Sequence, residues 1–150
     1  MEEAKTREIL VGDLDGLAEG LNRIGGLNIV NHKLNSAIAH NIVKAGRELK
    51  ILRKTVNALK REYAKKNEKG EFITKPGQDK NGRPATLFVY DKEEELSAKV
   101  DEVDAQVVDS RFYRIKQSTL ENEKIPGLTP SLMALLDPII IHDTEIPEDV

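Results

Sequence analysis

Three histidines, no cysteine and a scatter of carboxylates are the residues of this 150-residue chain whose side chains could do chemistry. His32 and His40 stand eight residues apart. On one helix that is about 80° around the axis and about 12 Å along it, too far to share one metal ion. A zinc site needs three or four converging donors, and His142 lies far along the chain beside Asp143. All three read as ordinary surface or helix-start histidines, and no metal is expected. Asp13-Leu14-Asp15-Gly16 has the opening of a calcium loop, but Ile24 stands where the closing glutamate is required. Helix capping by Asp13 or Asp15 is the better reading. Gly12, Gly16, Gly20, Gly25 and Gly26 do not form the dinucleotide fingerprint, and no phosphate-binding loop of the Gly-x-x-x-x-Gly-Lys type occurs. Glu93, Glu94, Glu95, Asp101, Glu102 and Asp104 read as a solvated helix face without a paired base. The chain reads as non-enzymatic and in need of no cofactor.

The basic residues carry a stronger pattern than the candidate catalysts do. Residues 1–30 hold 3 basic and 6 acidic side chains, 31–66 hold 10 and 2, and 67–150 hold 10 and 18, so a net charge of −3 hides segments of −3, +8 and −8. An internal match between a basic helix and an acidic remainder is the favoured reading, and a basic face kept for an anionic partner is the alternative. Lys50, Arg53, Lys54, Arg61 and Lys65 cluster on one face, which makes them the candidate anion-binding residues for nucleic acid or a sequestered nucleotide. Against them stand the absence of aromatic stacking platforms and an overall charge that is not basic.

These side chains must be held by a small set of elements. With aromatics at 4% and no Trp, the core has to be aliphatic. Leu14, Leu17, Leu21 and Ile24 recur at helical spacing and predict a first helix over 13–24, stopped by Gly25-Gly26, with Gly16 and Gly20 allowing close backbone approach. Ahead of it, Ile9-Leu10-Val11 reads as either a short strand or a lead-in. Ile42, Ala45, Leu49, Leu52, Val56, Leu59 and Tyr63 alternate spacings of 3 and 4, with Leu34 and Ile38 upstream. They predict one long amphipathic helix over 31–66, about 54 Å in length, whose stripe is a coiled-coil-like seam. Residues 67–70 read as its stop, 71–74 as a strand, and 76–84 as a mobile loop. Lys75, Gln78, Asp79, Lys80, Asn81 and Arg83 are the candidate contact residues of that loop. A strand over 85–90 closes a hairpin. A helix over 92–105 follows, opened by Asp91 and Glu94 and carrying Leu96, Val100, Val103 and Val107 on its apolar face. A third strand is expected over 111–116, and Thr129-Pro130 opens a short helix that Pro138 stops. The fold class is therefore α+β, a long amphipathic helix packed with shorter helices plus a small antiparallel sheet. The expected organisation is a single domain over 1–143, with a frayed acidic tail over 144–150.

The run Leu59-Lys60-Arg61-Glu62-Tyr63-Ala64-Lys65-Lys66, the Glu68-Lys69-Gly70-Glu71-Phe72-Ile73 turn after it, and the charged helix and short strand that follow resemble a family of small uncharacterised bacteriophage proteins over residues 31–116. The resemblance implies a phage accessory protein and assigns no site residues. The long loop over 76–84 departs from the compact turn expected of that family.

No run approaches a membrane span and the N-terminal residues lack the regions of a signal peptide, so the cytoplasm, or a virion if the chain is phage-derived, is the expected location. The long helix offers more apolar stripe than the first helix can cover. The expected function is thus that of a homo-oligomeric interaction protein, a virion component or an inhibitor or adaptor of another protein, with anion binding as the alternative.

Overall fold

The computed structural model describes residues 7–108 and 111–143. In chain order a 3₁₀ turn, Val11–Asp13, leads into α1, Leu14–Gly25, and α2, His32–Tyr63, followed by β1, Thr74–Gln78, β2, Pro84–Phe88, and α3, Glu93–Asp104. Then come β3, Ile115–Lys116, α4, Gln117–Asn122, α5, Pro130–Leu136, a second 3₁₀ turn, Asp137–Ile139, and β4, Ile140–Ile141. The architecture is α+β, with α2 running for 32 residues. Where the sequence reads as a single domain over 1–143, contacts fall into two compact units, Met1–Ile51 with Asp104–Val150, and Leu52–Val103. The acidic tail over 144–150 lies outside the described residues. No helix among the described residues is long and apolar enough to cross a membrane.

The first unit is built on α1. Leu14, Leu17, Leu21 and Ile24 are at most 1% exposed, as their helical spacing requires. The helix packs on α5, and Gly20 makes that approach possible: a Cβ there would sit 2.8 Å from the Cβ of Leu135 and 3.3 Å from its backbone carbonyl carbon. Gly16 is less constrained, since its nearest neighbour would be a Leu135 methyl at 3.6 Å. Asp13 stands at the N-cap position of α1, but its carboxylate turns back to accept from the Leu10 N–H at 2.9 Å. Leu10 serves both roles open to it, pairing with Val107 in an isolated bridge and then entering the 3₁₀ turn. Val107 is therefore an extended residue past the end of α3 and not part of its apolar face.

Thr129 caps α5 through its hydroxyl oxygen, which accepts from the Leu132 N–H at 3.2 Å, and Pro130 takes the first helical position. The third strand is shorter than expected. Only Ile115 and Lys116 are strand, and they pair in parallel with Ile140 and Ile141. Tyr113, two residues earlier, has its backbone N–H and C=O taken by a side chain of α2, so no ladder forms there. Between the paired segments α4 is a single short helix that the sequence pattern does not announce.

In the second unit β1 and β2 form the antiparallel hairpin, with Pro76 opposite Thr86. The first strand lies later than expected, because both strands of a two-stranded ribbon are edges and an edge tolerates Pro76. The connection shrinks accordingly to residues 79–83. Asp79 organises it, its Oδ1 accepting from the N–H groups of Asn81 at 2.9 Å and Arg83 at 3.0 Å, while Gly82 takes the left-handed conformation at φ 77°. The expected strand over 71–74 instead lies beside the chain leaving α2, where Phe72 bridges Lys66 and the Ile73 N–H donates to the Lys65 carbonyl at 2.9 Å. Helix α3 begins at Glu93, two residues after the Asp91 expected to open it. Lys92, at φ 52°, supplies the carbonyl that accepts from the N–H groups of Glu95 and Leu96.

Candidate functional site

The stripe on α2 changes character along its length. Leu34, Ile38, Asn41, Ala45 and Leu49 are its buried residues. Beyond Leu49 none is buried: Leu52, Val56, Leu59 and Tyr63 are all half-buried, as is Ile42 earlier on. Each of these positions was legible from spacing except Asn41, a fully buried polar residue within an apolar stripe. Its Nδ2 donates to the Tyr113 carbonyl at 2.9 Å and its Oδ1 accepts from the Tyr113 N–H at 2.8 Å. The amide thus replaces a strand partner for one residue.

The second unit has little core of its own. Ala64 and Leu96 are the buried apolar residues of Leu52–Val103. Lys50, Arg53, Lys54 and Arg61 are exposed and form no ion pair among the described residues, while Lys65 lies 3.5 Å from the Asp91 carboxylate. Glu93, Glu94 and Asp101 on α3 are likewise exposed and without an ion pair among the described residues. The internal charge match favoured from the sequence is therefore not made by direct pairs between α3 and Lys50, Arg53 or Arg61. Tyr63 does reach α3, donating to the Glu95 carboxylate at 3.0 Å. Desolvation together with that hydrogen bond and the charge of Glu95 raises the phenol above its ordinary pKa.

Of the candidate loop residues, Lys75 and Gln78 lie in β1, and Asp79, Lys80, Asn81 and Arg83 make the turn, all of them exposed. The same unit gathers aromatic side chains that the sequence scatters. Phe72 and Phe88 have ring centroids 5.0 Å apart, Tyr90 lies 6.3 Å from Phe88, and the Lys66 ammonium stands 5.2 Å from the Phe72 centroid.

The histidines do not converge, and no cluster of metal-ligating side chains occurs among the described residues. His142 is tied in more firmly than its sequence position suggests, with Nε2 at 2.7 Å from Asp137 and Nδ1 at 3.1 Å from Gln117. Asp137 also accepts from Arg7 at 2.8 Å, and Arg7 in turn bonds Asp13 at 2.8 Å. Burial works to raise the Asp137 carboxyl, but the hydrogen bonds and charges of Arg7 and His142 outweigh it and hold the group below the usual carboxylate range. Asp143 is lowered too, chiefly by the hydroxyl and N–H of Ser118. A carboxyl whose folded pKa is depressed contributes stability above its unfolded value and loses it as pH falls through the folded one. Asp137→Asn is therefore expected to flatten, relative to wild type, the decline in melting temperature as pH falls below the ordinary carboxylate range. The group is substantially exposed, so the effect should stay within about 1 kcal/mol. A parallel decline in both proteins would show that the Arg7–Asp137–His142 cluster contributes nothing.

A second feature lay outside the sequence reading. Between the start of α2 and the segment leading through β3 into α4 lies a groove of about 680 Å³. Lys33, Ser36 and His40 line one side of it, and Tyr113, Lys116 and Thr119 the other. Apolar surface comes from Leu34, Ala37 and Ile115. The rings of His40 and Tyr113 meet at 4.4 Å between centroids, tilted by 55°. Arg114 also borders the groove, but its guanidinium donates to the carbonyls of Arg7, at 2.8 Å, and of Pro138, and burial lowers its pKa. No family model, curated protein or solved structure matches this chain.

Proposed function

We propose that this chain is a non-enzymatic interaction protein that self-associates through α2 between Leu52 and Tyr63. The loss of cover along a single helical stripe carries this reading: the same periodicity that is buried as far as Leu49 continues half-buried to Tyr63. Only Ala64 and Leu96 are buried apolar residues in the unit that contains it, far from what a domain of that size needs. A second copy supplies the missing apolar surface. It is also complementary in charge, since it brings the unpaired carboxylates of α3 to the unpaired cations Arg53, Lys54 and Arg61. The assembled form would present the exposed hairpin turn at Lys80, Asn81 and Arg83 to a partner protein, in keeping with a phage-type virion component or host-directed adaptor.

Light scattering after size exclusion tests it. Wild type is expected above the monomer mass at micromolar concentration, and Leu59→Asp at the monomer mass with its helix content retained. Arg53→Glu combined with Arg61→Glu should weaken association without touching an apolar residue, which separates dissociation from misfolding. A strictly monomeric wild type overturns the proposal. The unpaired cations of α2 also favour a second reading, a nucleic-acid-binding face. Retention on a phosphate matrix that falls steeply with salt, and that is lost in the same charge-reversal variant, would support it.

A further inference from the structure

The groove beside the start of α2 is independent of the association surface, because none of its residues belongs to the half-buried part of the seam. Its volume of about 680 Å³ lies within the span of about 300–1,000 Å³ usual for small-molecule sites. Among the described residues its lining carries Lys33, Arg114 and Lys116 and no carboxylate. Two carboxylates bonded to residues in or beside the lining keep their charge but already accept hydrogen bonds. Glu123 accepts from the Asn31 amide at 2.7 Å, and Asp143 accepts from the hydroxyl and the N–H of Ser118. Arg114 is committed to carbonyls, so the cations available to a ligand are Lys33 and Lys116; neither lies within ion-pair distance of a carboxylate among the described residues, although the charge of Lys116 already acts on Asp143. Ser36 and Thr119 add hydroxyls that can donate to an anion. Tyr113, 55% exposed as a residue, adds an aromatic ring that His40 already meets on one side.

From this combination we propose that the groove binds a nucleoside phosphate, its phosphate held by Lys33 and Lys116 with Ser36 and Thr119, and its base stacked on Tyr113 beside His40. Neither half of such a ligand would suffice to account for the residues present. Cations and hydroxyls answer to the phosphate, and the exposed ring and apolar lining answer to the base.

Isothermal titration of the full chain with adenosine monophosphate, inorganic pyrophosphate and adenosine separates the two halves. The monophosphate is expected to bind saturably, one per chain. Lys33→Glu and Lys116→Glu should each weaken it by about tenfold or more. Tyr113→Ala should weaken the monophosphate while leaving pyrophosphate unchanged. Both lysines and the tyrosine are exposed, and melting curves will show that the variants stay folded. Arg61→Glu, which reverses a charge on the distant part of α2, should leave binding intact. Absence of saturable binding by either phosphate overturns the proposal. So does an equal loss in Arg61→Glu, which would mean diffuse attraction to a basic surface, and so does monophosphate binding that is indifferent to Tyr113→Ala.

Discussion

Asn41→Leu is expected to lower the unfolding free energy by about 2–4 kcal/mol, although the substitution keeps the number and branching of the side-chain heavy atoms and replaces a polar residue with an apolar one in a buried stripe. Asn41 is fully buried, and its amide meets both backbone groups of Tyr113. Each such group left without a partner inside the protein costs about 1–3 kcal/mol, and water can recover part of that because the neighbouring Tyr113 side chain is exposed. Urea unfolding at neutral pH gives the measurement. Asn41→Asp sharpens it. A carboxylate can still accept from the Tyr113 N–H but faces the carbonyl with no proton to give, and burial without a cation raises its folded pKa. Its deficit relative to wild type should therefore shrink as pH falls and the acid form regains a donor. A leucine variant as stable as wild type would mean that the segment around Tyr113 is not held by this amide.

Gly20→Val is expected to be at least as damaging, at about 3 kcal/mol or more, for a reason that involves no lost contact. The Cβ it adds would lie 2.8 Å from the Leu135 Cβ and 3.3 Å from the Leu135 backbone carbonyl carbon, so the obstacle is the body of α5 and not the tip of a flexible side chain. Overpacking of this kind costs about 1–3 kcal/mol for small insertions, and a branched side chain extends the intrusion beyond one methyl. Gly20→Ala should already destabilise, the clash exceeding the gain of about 1 kcal/mol in helix propensity. Leu135→Ala should fail to rescue either variant, since alanine retains the offending Cβ. Gly16→Ala, where the nearest atom is a methyl at 3.6 Å, should instead stabilise the same helix. Thermal melts of these variants test the helix pairing directly. A stabilising Gly20→Ala would show that α1 and α5 are not so closely apposed.

How much of this was legible in the chain depends on how local the determining interaction is. Leu14, Leu17, Leu21 and Ile24 are confirmed as one buried face because helical periodicity is set within a few residues. Thr129-Pro130 opens α5 as expected for the same reason. The hairpin slipped because Pro76 and Gly77 are turn residues by local statistics, whereas pairing across the ribbon drew them into β1. The third strand is cut short to Ile115 and Lys116 for a similar reason, the backbone partner of Tyr113 being a side chain 72 positions away in sequence. The Asn41 amide carried one available signal, a polar residue among Leu34, Ile38, Ala45 and Leu49, but its partner could not be read. Nothing along the sequence brings Lys33 near Lys116, so the groove has no linear motif.

The apposition of Gly20 with Leu135 also bears on how the molecule comes into being. Helix α1 ends at Gly25 and α5 begins at Pro130, so the first unit's helix pair closes a loop of more than a hundred residues. Closing so long a loop is entropically expensive before any apolar contact repays it, and folds dominated by such distant pairings form slowly. During synthesis α1 emerges well before α5, and the whole of α2, the hairpin and α3 must follow before α5 arrives to cover Leu14, Leu17, Leu21 and Ile24. The nascent chain therefore carries an exposed apolar helix face while those hundred residues are made, and the yield of folded protein in a cell should depend on how well that face is shielded until α5 appears.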